Sequence, residues 1–367
     1  MGSKNIFSVI LKKIIHKYYA LSITEKAVPS YPKNVLIVRQ HNQFGDMLAT
    51  VPLFRAFKEK NPRCRITLIT SPSNNYAVKK NRFVDETIDY NKKKLINPIY
   101  IWKFVKIIRK KYDITLVPAT VSISFTSNFI ARISNSDFII GPNSLDGVLN
   151  DYSFLFNKPV DLDWRKFPDS HVSDFIQDIA RPFGFASKNF RTEINFDGYD
   201  KREADDFISE IHKGKKELLI GLHIGAGKPQ NRWALQKFAK LITKLKDNYD
   251  AKFYITGSKS DKEEIYYMKS NSDLDITYCL NKEISVLAAI IEKSDLFITN
   301  DTGVMHVAGA TGTPQISIFG PTNPYNWAPV GQTKYFIRKS DLIDDVSVED
   351  VYNLCSFLLN KKKKKND

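Results

Sequence analysis

The sequence predicts an α/β protein made of two doubly wound parallel sheets, and three observations carry that prediction. Short β-rich apolar runs alternate with longer segments of helical period. The alternation breaks once, over residues 141–190, and then restarts. Each half opens with a strand that runs straight into a glycine-bearing loop. Strands that are apolar throughout, rather than alternating, belong to sheets covered on both faces, as parallel sheets are. A chain of 367 residues is long enough for about two domains, and 43% hydrophobic with 26% charged residues excludes a disordered, collagenous or low-complexity chain.

In the first half, Asn34-Val35-Leu36-Ile37-Val38-Arg39 reads as a strand, followed by a glycine loop and a helix over 46–60. Arg65-Ile66-Thr67-Leu68-Ile69-Thr70 is the next strand, residues 99–110 a helix, and Asp113-Ile114-Thr115-Leu116-Val117 a third strand. Residues 141–190, rich in Pro, Asp, Asn and aromatics, read as a long connection. The second half restarts with the strand Leu218-Leu219-Ile220-Gly221-Leu222-His223, a loop at Gly225-Ala226-Gly227 and a helix over 233–246. Ala251-Lys252-Phe253-Tyr254-Ile255-Thr256, Asp295-Leu296-Phe297-Ile298-Thr299 and Gln315-Ile316-Ser317-Ile318-Phe319 are further strands, with a helix from Gly303. The expected division is an N-terminal basic segment 1–30, a first domain 31–185, a second domain 186–335, and a C-terminal helix with a basic tail, 336–367. Two such domains are expected to face a cleft at the carboxyl ends of their strands.

The net charge of +15 favours anionic partners: phosphorylated small molecules, anionic lipid or nucleic acid. Nothing resembles a helix-turn-helix, an RRM or a zinc finger, so nucleic acid is not expected as a partner. Some of the charge lies at the ends. Lys361 to Lys365 form an unbroken tail, readable as a solvated end or as a membrane-surface attractant. Lys12, Lys13 and Lys17 interleave with Ile6, Val9, Ile10, Ile14 and Tyr18 at helical spacing, giving either an interfacial amphipathic helix or one docked on the protein's own body. The interrupting lysines do not suit a signal peptide, and no run of about 20 apolar residues is present. Cys64, Cys279 and Cys355 are far apart, with no pattern for disulfides or zinc.

Three loops carry candidate chemistry. The first, Gln40-His41-Asn42-Gln43-Phe44-Gly45-Asp46-Met47, ends a strand and opens a helix; Asp46 can cap that helix or act as a general base on a bound hydroxyl. The second runs from Gly225 through Gly227, Lys228 and Arg232 to Trp233. Its glycines permit close approach to an anion and its cations can neutralise phosphate, although a strand-to-helix turn needs glycine anyway. The third, Asn300-Asp301-Thr302-Gly303-Val304-Met305-His306, places helix-start amides at Thr302 and Gly303, a carboxylate suited to sugar hydroxyls at Asp301, and His306 one turn on. Phe319-Gly320-Pro321-Thr322 then ends a strand at the same sheet edge.

Taken together, Gly45-Asp46, the Gly225-to-Trp233 loop, Asp301-Thr302-Gly303 with His306, and Phe319-Gly320-Pro321-Thr322 resemble glycosyltransferase family 9, the lipopolysaccharide heptosyltransferases, over residues 34–335. The resemblance implies a GT-B architecture of two Rossmann-like domains, the first binding acceptor and the second nucleotide-sugar. It implies inverting, metal-independent transfer from an ADP-heptose-like donor to a glycolipid or glycan acceptor, with no cofactor. Asp46 matches the catalytic base, with Phe44 and Gly45 beside it on the acceptor side. Gly225, Gly227, Lys228, Arg232, Asp301, Thr302, Gly303 and His306 match the donor side. Two positions depart from the family pattern: Asn231 stands where a lysine is common, and Ala234 follows the tryptophan where proline is common. Lys228 or Arg232 would then supply the missing charge.

The implied setting is cytoplasmic, with the basic ends suited to the anionic inner face of the inner membrane. The alternatives are another GT-B nucleotide-sugar enzyme (a UDP- or GDP-sugar transferase or an epimerase) and a non-catalytic membrane-associated homologue. Asp161-Leu162-Asp163 and Asp273-Leu274-Asp275 spell the DxD of metal-dependent transferases, but neither has the expected strand context.

Overall fold

The backbone of a computed structural model is described here for residues 3–40, 44–215, 217–271 and 274–366, with side chains from residue 9 to residue 361. It divides into two units, Met1–Phe190 and Arg191–Asp367.

In the first unit, β1 (Asn34–Val38) lies between β2 (Arg65–Thr70) and β4 (Lys111–Leu116), with β3 (Glu86–Asp89) beyond β2 and β5 (Asn135–Leu145) beyond β4, all parallel. Val35, Leu36, Ile37 and Val38 are all buried, as a central strand covered on both faces requires. The helices of this unit are α1 (Ser3–Tyr19), α2 (Phe44–Ala49), α3 (Val51–Lys60), α4 (Pro98–Ile108), α5 (Phe125–Arg132) and α6 (Val172–Phe175). One core gathers Leu36, Val38, Ile69, Phe104, Ile108 and Phe156.

Three expectations are corrected here. The single helix over 46–60 is two helices: Pro52, near the start of α3, has no N–H to donate, and the chain breaks at Thr50, whose hydroxyl bonds the Asp46 carbonyl at 2.7 Å. Residues 141–190 are not merely a connection. They hold the end of β5, β6 (Val148–Leu149), β7 (Lys158–Leu162) and α6. β5 continues through Gly141-Pro142, with a register shift against β7 between Pro142 and Ser144. Asp146 and Gly147, at φ 54° and 79°, then turn the chain into a tight hairpin that demands the left-handed conformation. Finally, the basic tail continues helically: α13 runs from Val348 to Asn366.

The N-terminal helix docks by one edge. Ile15 is buried and the His16 ring meets Phe154 edge-on at 4.6 Å, while Val9, Ile10, Ile14 and Tyr18 stay exposed.

The second unit repeats the plan. Its sheet runs β10 (Ile276–Leu280), β9 (Ala251–Gly257), β8 (Leu218–His223), β11 (Leu296–Asn300), β12 (Gln315–Ile318) and β13 (Lys334–Ile337), all parallel. Its helices are α7 (Gly198–His212), α8 (Leu235–Asn248), α9 (Lys262–Ser270), α10 (Ile284–Glu292), α11 (Gly303–Gly309), α12 (Pro324–Trp327) and α13. The amphipathic α8 buries Phe238, Leu241, Ile242 and Leu245 against the sheet. Trp233 sits in the same core, with its indole N–H on the Val346 carbonyl at 2.8 Å.

Lys334, at the start of β13, donates to the carbonyls of Ala308 and Thr313, both at 2.7 Å, and so holds the end of α11. Burial pushes its ammonium down to about 7, with Glu292 opposing. The unfolded chain keeps that proton up to the ordinary value of 10.5, so between about 7 and 10.5 it binds more protons than the folded one. Stability contributed by this group therefore rises with pH across that window and is lost as pH falls through it. Denaturant unfolding of wild type and Lys334→Met from pH 6 to 10 is expected to show this rise in the wild type and a flatter curve in the variant.

Candidate active site

In a parallel sheet wound both ways from its centre, the loops leaving the two central strands diverge and open a crevice at their carboxyl ends. The order β3-β2-β1-β4-β5 puts that point between β1 and β4, and β10-β9-β8-β11-β12 puts it between β8 and β11. The candidate residues collect at these two points.

In the first unit, β1 leads into Arg39, which is 4% exposed, and α2 then carries Asp46, which is 2% exposed. A guanidinium nitrogen of Arg39 stands 3.5 Å from an Asp46 carboxylate oxygen. The same guanidinium donates to the Pro118 carbonyl at 3.3 Å and the Thr120 hydroxyl at 3.0 Å, both just past β4. It is thus pinned across the β1–β4 crevice. Burial lowers the Arg39 pKa, and the charge of Asp46 pulls it back up. Asp46 lies inside the first turn of α2, and its carboxylate has no hydrogen-bond partner among the described residues. That is not how a helix cap looks: a capping carboxylate accepts from the first-turn amides. Phe44 stacks on Tyr76 at 5.5 Å, with half-buried Gly45 between it and Asp46. His41, Asn42 and Gln43, also part of the expected loop, lie outside the described residues.

In the second unit, three loops converge on Asp301. Asn300 ties two of them together, donating to the carbonyls of Ile224 at 2.9 Å and Gly225 at 3.3 Å and accepting from the Trp233 amide at 3.2 Å. Gly225 is required by close approach, since a Cβ there would lie 2.1 Å from an Asp261 carboxylate oxygen. The Asp301 carboxylate accepts from the Asn231 amide at 2.8 Å and from the Thr322 hydroxyl, and it feels the charge of Lys228. Burial raises its pKa, while Thr322 and then Lys228 work against that rise. Thr302 caps α11 in an extended conformation, so the amides of Gly303 and Val304 have no acceptor within the helix. His306 is half-buried one turn on.

Not every candidate is available for a ligand. Arg232 is committed to its own unit, donating to the Ala226 carbonyl at 2.8 Å and pairing with Glu264 at 2.6 Å. Gly227 and Lys228 are exposed on the same loop. Of the DxD triplets, Asp161 accepts from Ser144 and Asn143, Asp163 pairs with Arg165 at 2.8 Å, and Asp275 pairs with Lys252 at 2.9 Å. Asp273 lies outside the described residues. Among the described residues, no three His, Cys, Asp or Glu side chains are grouped to hold a metal ion.

Residues 101–350 match the profile of glycosyltransferase family 9 (heptosyltransferase). The chain belongs to that family. It is 33% identical over 117 residues to lipooligosaccharide heptosyltransferase 2 of Campylobacter jejuni, a match over 30% of this chain and about a third (36%) of that protein's length. Among solved structures, the family 9 glycosyltransferase from Veillonella parvula superposes with a TM-score of 0.77 at 20% identity, over 93% of this chain and all (100%) of that one. The E. coli ADP-heptose lps heptosyltransferase II superposes with a TM-score of 0.72 at 17% identity, over 90% and 99% of the two chains. At such identities the likeness establishes the fold, two Rossmann-like units of the GT-B type.

For this family 9 chain, sequence reasoning named Asp46, Asp301 and Lys228 but assigned no role to Arg39 or Thr322. The available signals were a lone arginine ending an apolar strand, and a hydroxyl two residues past a glycine at a strand end. Asn231, noted only as a departure, turns out to be the amide partner of Asp301.

Removing Arg39 would leave the buried Asp46 carboxylate without a counter-charge. We expect Arg39→Met to cost about 3–5 kcal/mol in chemical denaturation. The double variant Arg39→Met/Asp46→Asn is expected to be less destabilised than the sum of its two single changes, because each single change strands the other partner.

Proposed function

We propose that this protein transfers a heptose from ADP-heptose to a lipopolysaccharide-core or other glycan acceptor, with inversion and without a divalent ion. The observation that carries this reading is the buried Asp46 carboxylate at the β1–β4 crevice, paired with Arg39 and with no hydrogen bond among the described residues. It suits a base positioned to take the proton of the acceptor hydroxyl. The family supports transfer chemistry, and the E. coli relative's name supports ADP-heptose as donor.

In this mechanism the acceptor hydroxyl oxygen attacks the anomeric carbon while its proton passes to Asp46. The bond from that carbon to the diphosphate oxygen breaks, and the electron pair leaves with ADP. Arg39 orients the carboxylate without touching substrate. On the donor side, Asp301 meets sugar hydroxyls, and the amides at Thr302 and Gly303 face the diphosphate with His306 nearby. Such preorganised dipoles act where charge develops. With Asn231 replacing the common lysine and Arg232 bound to Glu264, Lys228 is the cation left for the phosphates. Phe44 and Gly45 border the acceptor hydroxyl. The enzyme would work in the cytoplasm, at the anionic face of the membrane that holds its glycolipid acceptor.

Thermal stability against ADP, GDP, UDP and CDP, each with EDTA present, tests the donor. Selective stabilisation by ADP is expected, roughly 2.7 kcal/mol at 100 times its dissociation constant. A preference for UDP or GDP would replace the donor, and dependence on added Mg²⁺ would overturn metal independence. For the chemistry, Asp46→Asn should lower kcat by about a thousandfold or more with the ADP response intact. Undiminished turnover would remove Asp46 as the base. Lys228→Ala should weaken ADP binding by about tenfold and leave thermal stability without ligand nearly unchanged.

A further inference from the structure

Helix α4 is built like a core helix yet lies largely in the open. Its sequence, PIYIWKFVKII, is nearly as apolar as that of α10, ISVLAAIIE. In α10 the run from Val286 to Ile291 is buried, whereas in α4 only Phe104 and Ile108 are. Tyr100 fixes the inner face by donating its hydroxyl to the Asp89 carbonyl at 2.5 Å. The outer face presents Ile99 at 66% exposure and Trp102 at 59%, with Ile96 at 91% just before the helix. An apolar surface of this kind marks a place where something docks.

The charge around it says what. Residues 91–110 contain Lys92, Lys93, Lys94, Lys103, Lys106, Arg109 and Lys110 and no acidic residue. Lys110 is paired with Glu86 at 2.8 Å. Lys106 lies 4.9 Å over the Trp102 ring, so the cation and the indole share one face. A core helix has no use for such a fringe. A helix lying in the headgroup region does: apolar side chains and tryptophan enter the acyl boundary while lysines meet lipid phosphates.

We propose that α4, with the preceding turn of Lys92–Lys94, is an interfacial anchor that seats the first unit on an anionic lipid bilayer through Ile96, Ile99 and Trp102. This deepens the membrane-surface reading above by naming the contact. It does not depend on the donor or on Asp46, so failed turnover leaves it standing and its failure leaves transferase activity standing.

The test is co-sedimentation of the full chain with vesicles of phosphatidylcholine alone or with about one third phosphatidylglycerol, free of nucleotide and acceptor. Wild type should bind the anionic vesicles and release them at high salt. Ile99→Ser/Trp102→Ser should lower partitioning by about tenfold or more. Lys92→Gln/Lys93→Gln/Lys94→Gln should do the same, at about fivefold per charge. All these positions are exposed, and matching thermal unfolding would confirm that the variants fold. Trp102→Phe should abolish the blue shift of tryptophan fluorescence on vesicle addition. Equal binding to neutral vesicles, or unchanged binding by the Ile99/Trp102 variant, would overturn the proposal. So would a wild-type dimer in light scattering that the same variant converts to monomer, because the face would then be covered by a second copy of the chain.

Discussion

The central strand of a parallel sheet buried on both faces has little room for charged side chains. In β1 and β8, at the centre of each sheet, residues such as Leu36, Ile37, Ile220 and Leu222 are wholly enclosed. Charged groups are therefore driven to the ends of these central strands, and strand order decides where along the carboxyl edge they gather. Both sheets reverse their winding beside the first strand of the unit, at β1–β4 and β8–β11. The first loop of each unit thus starts at a crevice, and the residue types that fill the two crevices are what distinguish them.

The fillings are complementary in kind. The first crevice holds a carboxylate whose buried partner is a guanidinium pinned across the gap by Pro118 and Thr120. A buried ion pair of this sort contributes little net stability, since desolvation offsets most of the attraction. What the pair does supply is position: the pinned guanidinium fixes where the Asp46 carboxylate sits at the crevice. The second crevice holds a carboxylate dressed by neutral donors, the Asn231 amide and the Thr322 hydroxyl, with one exposed lysine near. That surround leaves the loops polar but short of fixed positive charge, and under the proposed reading the backbone amides would carry more of the electrostatic burden there.

The parts of this design that could be read from sequence are those with a local period. β2 and β8 fall where their apolar runs lie, and Gly303 opens α11 as the helix-start pattern indicates. What escaped reading depends on contacts between distant residues. β5 runs through Gly141-Pro142 because the bare glycine lets the Phe156 ring pack where a Cβ would be 2.2 Å from it, and no local window contains Phe156. Arg232 looked like a phosphate cation until Glu264, from α9, was seen to hold it. Arg39 looked like the end of a strand, and its role emerged only when α2 brought Asp46 against it.

The same contrast bears on Asn231, which stands where the resemblance to family 9 would put a lysine. A lysine at that position would set an ammonium against Asp301 and commit the carboxylate to an ion pair. An amide instead gives Asp301 one neutral hydrogen bond, while burial disfavours its charge and Lys228 acts on it only from the exposed side of the loop. The cation that acts on Asp301 is Lys228, three residues before Asn231 and exposed at the surface. A buried cation must be desolvated when the protein folds, whereas an exposed one keeps its water until an anion displaces it. Under the proposed reading, the cost of desolvating that cation falls on donor binding rather than on folding, so this substitution should show in affinity for the diphosphate more than in the stability of the second unit.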